Sequence, residues 1–236
     1  MTVLEYAGNE LLLFREAVNW KRYWSRVITP FLGKRVLDVG AGIGATAQLL
    51  AQRGYDRWVE LEPDPSQARE IERLRDQGEI PAHYEVRIGT SDDLDSDDNF
   101  DTVLYVDVLE HIEDDRGELA RVLRHVAPGG NIVILSPAHD FLFTPFDQSV
   151  GHFRRYDRKG LSTLIPQDCD MVFSRYLDSV GMLASLANRL LLSQSTPTRG
   201  QILFWDRVLV RCSLLLDRLT FGLLGKTIVC VYRKRA

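Results

Sequence analysis

Residues 36 to 44 read Val-Leu-Asp-Val-Gly-Ala-Gly-Ile-Gly, an apolar strand carrying one acid, Asp38, followed by glycines at 40, 42 and 44. Such a run reads as a buried strand, and the glycines let the backbone turn tightly and approach a ligand with no side chain in the way. A helix expected over Ala45–Ala51 then points unpaired N–H groups and the positive end of its dipole at whatever lies in the turn. The chemistry on offer is capture of an acceptor-rich ligand by main-chain donors.

Gly40, Gly42 and Ala45 also satisfy the dinucleotide pattern G-x-G-x-x-A, so the glycines alone do not choose between nicotinamide and other nucleotides. Trp58 to Glu62 reads as a second strand, ending on an acid about 20 residues beyond the turn, the distance of a ribose partner. Glu62 fits that role better than Glu60. Asp64-Pro65-Ser66-Gln67 starts the next helix, with Asp64 as N-cap and Gln67 reaching back.

Histidines supply the candidates for proton transfer near neutral pH. His111 follows the expected fourth strand at the sheet's carboxyl edge, where ligands of open α/β sheets gather, and a locally bonded helix-starting residue is the competing reading. His152 sits in the run Gly151-His152-Phe153-Arg154-Arg155-Tyr156, inside a long connection. Arg154 or Arg155 could grip a carboxylate or phosphate, against surface pairing with Asp147 or Asp157, and one of the two is expected to be structural. His139 and Asp147 are further candidates for the same cavity, while His83 and His125 read as surface or strand-edge residues. No pair has metal-ligand spacing, and Cys169, Cys212 and Cys230 form neither a metal set nor a disulfide framework, so no metal is expected.

These groups need a scaffold. Leu11, Phe14 and Val18 share a helical face that Trp20, Tyr23, Trp24, Val27 and Ile28 extend to Pro30, the aromatics reading as core more readily than as a lid. Strands are expected at Tyr84–Ile88, Asp101–Val106 and Asn131–Leu135. An amphipathic helix through Leu119, Val122, Leu123 and Val126 is expected to stop at Pro128-Gly129-Gly130. Alternation of strand and helix over the first 136 residues gives an α/β, doubly wound parallel sheet. Pro137 to Gly160 is too long for a plain connection and is read as shaping a pocket. A helix over Arg158–Ile165, a strand near Met171–Tyr176, apolar helices at 179–192 and 201–218 and a strand Ile228–Tyr232 complete the chain, with no internal repeat.

The bulk properties narrow the classes. At 236 residues and 45% apolar composition, one domain over 1–236 suffices. A net charge of −4 and a pI near 5.8 argue against a nucleic-acid surface. Met1 to Asn9 lack the regions of a signal peptide and no apolar run reaches a membrane span, so a cytoplasmic location is expected.

The set Val36 to Gly44, Phe100-Asp101, Val108-Leu109-Glu110-His111-Ile112 and Arg121-Val122-Leu123 with Pro128-Gly129-Gly130 resembles class I S-adenosylmethionine-dependent methyltransferases, closely over residues 30 to 140. The run 151–156 looks like one in bacterial members near sugar or polyprenyl biosynthesis, in a layout similar to ubiquinone-pathway O-methyltransferases. The resemblance implies a Rossmann-like seven-stranded sheet whose final pair is an antiparallel hairpin, with an N-terminal helical cap over 1–30 and acceptor-side insertions at 137–160 and 179–218. It puts the methionine end of S-adenosylmethionine at Asp38 and the turn of Gly40, Ala41, Gly42 and Gly44, the ribose at Glu62 beside Leu61, and the adenine edge at Gly89 to Asp92. Many relatives carry an acid where this chain has Thr90; Asp92 stands in for it, with Ser91 giving a backbone contact. Asp107 and Val108 are expected to line the methyl donor.

Methyl transfer needs an aligned nucleophile, exclusion of water and, for a hydroxyl, a base. His111, His152 and Tyr156 are the expected catalytic set, acting on a hydroxyl, less readily a nitrogen or carbon, of a small, sugar-linked or polyprenyl-linked acceptor. The last 36 residues carry seven Lys or Arg against two Asp beside the apolar stretch Gln201–Leu216, which suggests peripheral membrane contact, a homodimer face or a cover over a greasy acceptor. Two other readings stay open: an NAD-dependent oxidoreductase, from the glycines and Glu62, and a non-catalytic partner protein of the same fold, from Thr90 and the apolar C-terminal third.

Overall fold

Strands buried on both faces must be largely apolar, and the runs Val36–Val39, Val103–Tyr105 and Ile132–Leu135 follow that rule except at Asp38. The computed structural model describes residues 14–191 and 198–236, so Leu11 lies outside the described residues. The strands are β1 (Arg35–Val39), β2 (Arg57–Glu62), β3 (Glu85–Ile88), β4 (Phe100–Val106), β5 (Val126–Pro137), β6 (Cys169–Leu177) and β7 (Thr227–Lys234). They form one seven-stranded sheet in the order β3-β2-β1-β4-β5-β7-β6. β1 to β5 pair in parallel, and β7 runs antiparallel to both β5 and β6. The doubly wound sheet with an antiparallel terminal pair is the expected fold, the pair being joined by helices rather than a tight turn.

Each face carries its own core. Val36, Trp58, Leu104, Val133 and Val231 meet helices α1 (Val18–Ile28), α2 (Ala45–Leu50) and α3 (Pro65–Asp76) and the C-terminal helices. Leu37, Val59, Val103, Ile132 and Cys230 meet α4 (Asp115–Val122) and α6 (Arg158–Leu164), with the short α5 (Pro145–Ser149) between them in the chain. Trp20, Tyr23 and Trp24 are buried in the first core, Trp20 lying 5.7 Å from Trp205, so they pack rather than cap the crevice.

The helices after β6 are α7 (Ser179–Leu191), α8 (Arg199–Phe204) and α9 (Val210–Leu219). The single helix expected at 201–218 is broken by a π turn at Trp205–Leu209. Its cause is three buried aspartates. Asp206 accepts the N–H groups of Asn19 (3.2 Å) and Trp20 (2.8 Å), capping α1, which has no cap of its own. Asp178 accepts from Trp205 Nε1 and Ser213 Oγ, both at 2.6 Å, and Asp217 from Tyr23 Oη at 2.7 Å. Presenting Trp205 and Asp206 inward together costs the helix one register step.

Pro128-Gly129-Gly130 does not end a helix. α4 stops at Val122, and the glycines lie inside β5, where the register to β4 shifts between Phe100 and Thr102. Glycine's freedom serves a bulge there.

Candidate active site

The turn after β1 is built by its neighbours. Gly40 has φ +64°, and a Cβ on it would fall 2.8 and 2.9 Å from the methyls of Val108, so only glycine lets the turn close against the loop after β4. Gly42 and Gly44 also lie at positive φ. Gly40 N–H donates to Leu61 carbonyl at 2.7 Å and Gly42 N–H to Glu62 Oε2 at 2.8 Å, tying the turn to the end of β2. Glu62 Oε1 takes the Asp64 N–H at 2.8 Å, the capping role expected of Gln67. Burial pushes the Glu62 carboxyl up, and those two backbone donors pull it back.

Beneath the turn lies a buried acid pair. Asp38 on β1 stands opposite Glu60 on β2. Asp38 hydrogen-bonds to Glu60 and Thr46, Trp58 Nε1 donates to Glu60 Oε1 at 2.6 Å, and Asp38 Oδ2 has no partner. Burial pushes Asp38 up to about 7 and Glu60 well above the carboxylate range, so the pair keeps a proton. A group protonated when folded and ionised when unfolded stabilises at low pH, and that contribution fades as pH rises through the folded value. The stability of Glu60→Gln relative to wild type is therefore expected to increase between about pH 5 and pH 8, read as the difference in Tm. A pH-independent difference would mean that the pair carries no excess proton.

The loop after β3 uses its side chains internally. Thr90 caps the following turn, its N–H donating to Asp93 Oδ2 at 2.8 Å. Ser91 Oγ is turned inward to Glu118 Oε2 at 2.6 Å, a carboxylate also bonded by Tyr105 at 2.6 Å. Asp92 points outward and pairs with Arg121 at 3.0 Å. Main chain, rather than the side chain of Ser91, is what this loop can offer a ligand.

A second cluster of polar side chains begins at Val108, the residue packed on Gly40. Before it, Asp107 has φ +55° and lies open to solvent on the crevice wall. The surrounding protein pushes its carboxyl upward while His152 and Lys226 oppose the shift. After it, His111 N–H donates to Val108 carbonyl at 2.9 Å. The rings of His111 and His152 meet edge to face with centroids 4.5 Å apart. Burial pushes His111 down to about 4, with His152 adding to the effect. His152 Nδ1 lies 3.0 Å from Asp147 Oδ1. Arg155 grips both oxygens of Asp147 at 2.9 Å and Thr144 donates its N–H at 2.8 Å. Burial would raise Asp147, but His152 and Arg155 hold it well below the usual carboxylate range.

Two of the 151–156 residues are placed differently from the expectation. Tyr156 is buried, its hydroxyl donating to Asp115 Oδ2 at 2.7 Å with the Leu109 carbonyl nearby at 3.2 Å. That hydroxyl fastens the insertion to the sheet and faces no acceptor, so Tyr156 leaves the catalytic set. Arg154 holds Asp115 at 2.7 Å and Glu113 carbonyl, so both arginines are structural. His139 is stacked between Phe141 and Tyr176, and His125 is buried against Asp98 carbonyl.

Sequence reasoning passed over Glu110 and Lys226. Glu110 is fully buried, with Oε2 accepting from Ser136 at 2.9 Å and Oε1 unpartnered. Lys226, at the entry to β7, lies 4.0 Å from the Trp205 ring and 3.5 Å from Asp178. The neighbouring pairs were signals for each: Glu110 beside His111, and a lone lysine opening an apolar strand.

Residues 14–172 match the methyltransferase domain family. The chain belongs to the methyltransferase family. A ubiquinone biosynthesis O-methyltransferase of Azorhizobium caulinodans is 32% identical over 111 residues, 47% of this chain and 43% of the relative. A demethylmenaquinone methyltransferase of Tropheryma whipplei is 28% identical over 162 residues, 68% and 64% of the two chains. The methyltransferase thus spans less than two thirds of the curated relatives it matches. Among solved structures, coclaurine N-methyltransferase bound to N-methylheliamine and S-adenosylhomocysteine superposes with a TM-score of 0.63 at 14% identity, covering 92% of this chain and 72% of that one. Family membership sets the oxidoreductase alternative aside.

S-adenosylmethionine, the cofactor of class I methyltransferases, fits the residues present. The glycine turn leaves a side-chain-free cradle, Asp38 Oδ2 is a buried acceptor awaiting a donor such as the methionine ammonium, and the Glu62 carboxylate retains lone pairs for ribose hydroxyls. By contrast, the hollow of about 220 Å³ at the amino ends of the strands, between Phe31 and Gly130, offers Asp101, already held by Arg35 at 2.8 Å, and Asn131, whose amide donates to Phe31 carbonyl at 2.8 Å.

Proposed function

We propose that the protein transfers a methyl group from S-adenosylmethionine to a hydroxyl of a small metabolite, carried out where His111 and His152 meet beside the glycine turn. The observation that supports this reading most is the His152–Asp147 pair at 3.0 Å, linked to the cofactor cradle through Val108 and His111. The bound cofactor supplies an electrophilic methyl on a sulfonium. The chain's part is to hold the acceptor in line, exclude water and provide a sink for the hydroxyl proton. Asp147 and Arg155 fix the imidazole of His152, leaving its Nε2 for that task. Half-buried His111 stays neutral.

The relatives' names point to quinone precursors as the acceptor class to try, a hydroxylated ring with an isoprenoid tail among them. The described helices include none long and apolar enough to cross a membrane. A lipid-linked acceptor instead suits the exposed Phe204, Val208, Leu215, Leu219 and Phe221 on α8, the π turn, α9 and the following loop, interleaved with Arg207, Arg211 and Arg218 as in a surface that rests on anionic lipid. The test is incubation of the purified chain with methyl-labelled S-adenosylmethionine and a panel of catechols and polyprenyl-linked phenols. Label transfer to oxygen is expected. Failure to bind S-adenosylhomocysteine in calorimetry would return the non-catalytic reading, and label found on carbon or nitrogen would reassign the acceptor atom.

A further inference from the structure

We infer that Glu110, His111 and His152 form a binding site for one divalent transition-metal ion, whose open coordination positions take the acceptor oxygen. Taken alone, the sequence offers no metal-ligand spacing: His111 and His152 stand 41 positions apart. The fold closes that gap through Phe153 N–H, which donates to Glu110 carbonyl at 2.9 Å, and brings one ligand atom of each of the three residues within 4.8 Å of the others.

Three independent features of the cluster point to a cation. First, Glu110 is fully buried and its Oε1 meets no donor, although Ser136 satisfies the other oxygen. A buried carboxylate oxygen without a partner is costly, and a cation removes the cost. Second, His152 has Nδ1 committed to Asp147, which leaves Nε2 as the ligand, the carboxylate–histidine–metal arrangement that fixes tautomer and ring orientation. Asp147 is itself immobilised by Arg155 and Thr144, so the supporting shell exists before any ion arrives. Third, a hydrogen bond to the Gly151 backbone holds His111 from outside the cluster.

Two imidazoles and one carboxylate suit Zn²⁺, Fe²⁺ or Mn²⁺ better than the harder Ca²⁺, and three protein ligands leave room for water or substrate, as in catalytic rather than structural sites. Around a tetrahedral ion ligand atoms stand about 3.4 Å apart, so side-chain shifts of about 1 Å close the set.

The consequence deepens the methyl-transfer reading and rests on it. An acceptor hydroxyl bound to the ion loses its proton to solvent more readily, as metal-bound water does. The oxygen keeps its electron pair and bonds to the methyl carbon, the carbon–sulfur bond breaks, and sulfur leaves with the bonding electrons as a neutral thioether. The ion is neither oxidised nor reduced.

The experiment is titration of chelator-stripped, untagged protein with Zn²⁺ by calorimetry, and with Co²⁺ by visible absorption. One ion per chain is expected, with the intense ligand-field bands of low-coordinate Co²⁺. Glu110→Gln, which keeps shape and the Ser136 contact, and His111→Ala are each expected to weaken Zn²⁺ by about 100-fold or more, against about 10- to 100-fold for loss of a supporting residue. Thermal melting and S-adenosylhomocysteine affinity report whether each variant is folded. No binding by wild type, or unchanged binding in both variants while folded, overturns the site. Methyl transfer undiminished in excess chelator would overturn the metal and leave the methyl-transfer reading standing. Zn²⁺ binding without transfer to any acceptor would do the reverse.

Discussion

Gly42→Arg is expected to abolish measurable S-adenosylhomocysteine binding while leaving the chain folded. Residue 42 has φ +60°, a region where an L side chain costs about 1 to 3 kcal/mol. Its N–H also donates to Glu62 Oε2 at 2.8 Å, so relief of that strain by backbone rotation breaks the bond that holds the carboxylate proposed to meet the ribose. Either route harms the cradle, and a long cationic side chain is added at its tip. Each 1.4 kcal/mol is about ten-fold in affinity, so strain and the lost anchor together predict a weakening of about 100-fold or more. Gly40→Ala is the graded companion: its Cβ displaces Val108, the residue that links the cradle to His111. Calorimetry on both variants, with melting curves as controls, checks the order. An unchanged affinity in Gly42→Arg would move the cofactor away from this turn.

What was legible in the sequence follows from how local each feature is. The turn and Glu62 were readable because strand, glycines and helix start are consecutive, and the acid lies one strand away in a parallel sheet whose order is fixed by chain direction. The resemblance extended this to the loops after β3 and β4. The side-chain roles in those loops were not readable. Ser91 faces Glu118, 27 residues on, and Tyr156 reaches Asp115 across 41 residues. Neither pairing leaves a trace in local periodicity. The same limit hid the Glu110–His111–His152 cluster, whose members are joined by one main-chain hydrogen bond from Phe153. It also hid the π turn, since the demand on Asp206 comes from α1, 187 residues earlier. Pro128-Gly129-Gly130 misled for the opposite reason. Proline and glycine mark a helix end and a bulge alike, and only the register between β4 and β5 tells them apart.

The same distinction between consecutive and assembled features sets the second large effect, His152→Ala. The imidazole is the best-positioned group in the acceptor corner, 10% exposed in its side chain and held by a carboxylate that Arg155 and Thr144 lock in turn. Whether its Nε2 takes the hydroxyl proton or ligates an ion that acidifies the hydroxyl, removing it takes away that help to deprotonation, and a positioned acid–base group contributes about 10² to 10⁴ in rate. Turnover is therefore expected to fall by that range. Affinity for S-adenosylhomocysteine should stay within about two-fold, because Glu62, Gly40 and Gly42 make no described contact with His152. Tyr156→Phe provides the contrast. It deletes a buried hydroxyl bonded to Asp115 with the Leu109 carbonyl nearby, costing about 1 to 3 kcal/mol of stability in denaturant unfolding, with kcat little changed at a temperature where the variant is folded. A kcat in His152→Ala close to wild type, or a Tyr156→Phe variant that loses turnover without losing stability, would exchange the roles assigned to these two residues.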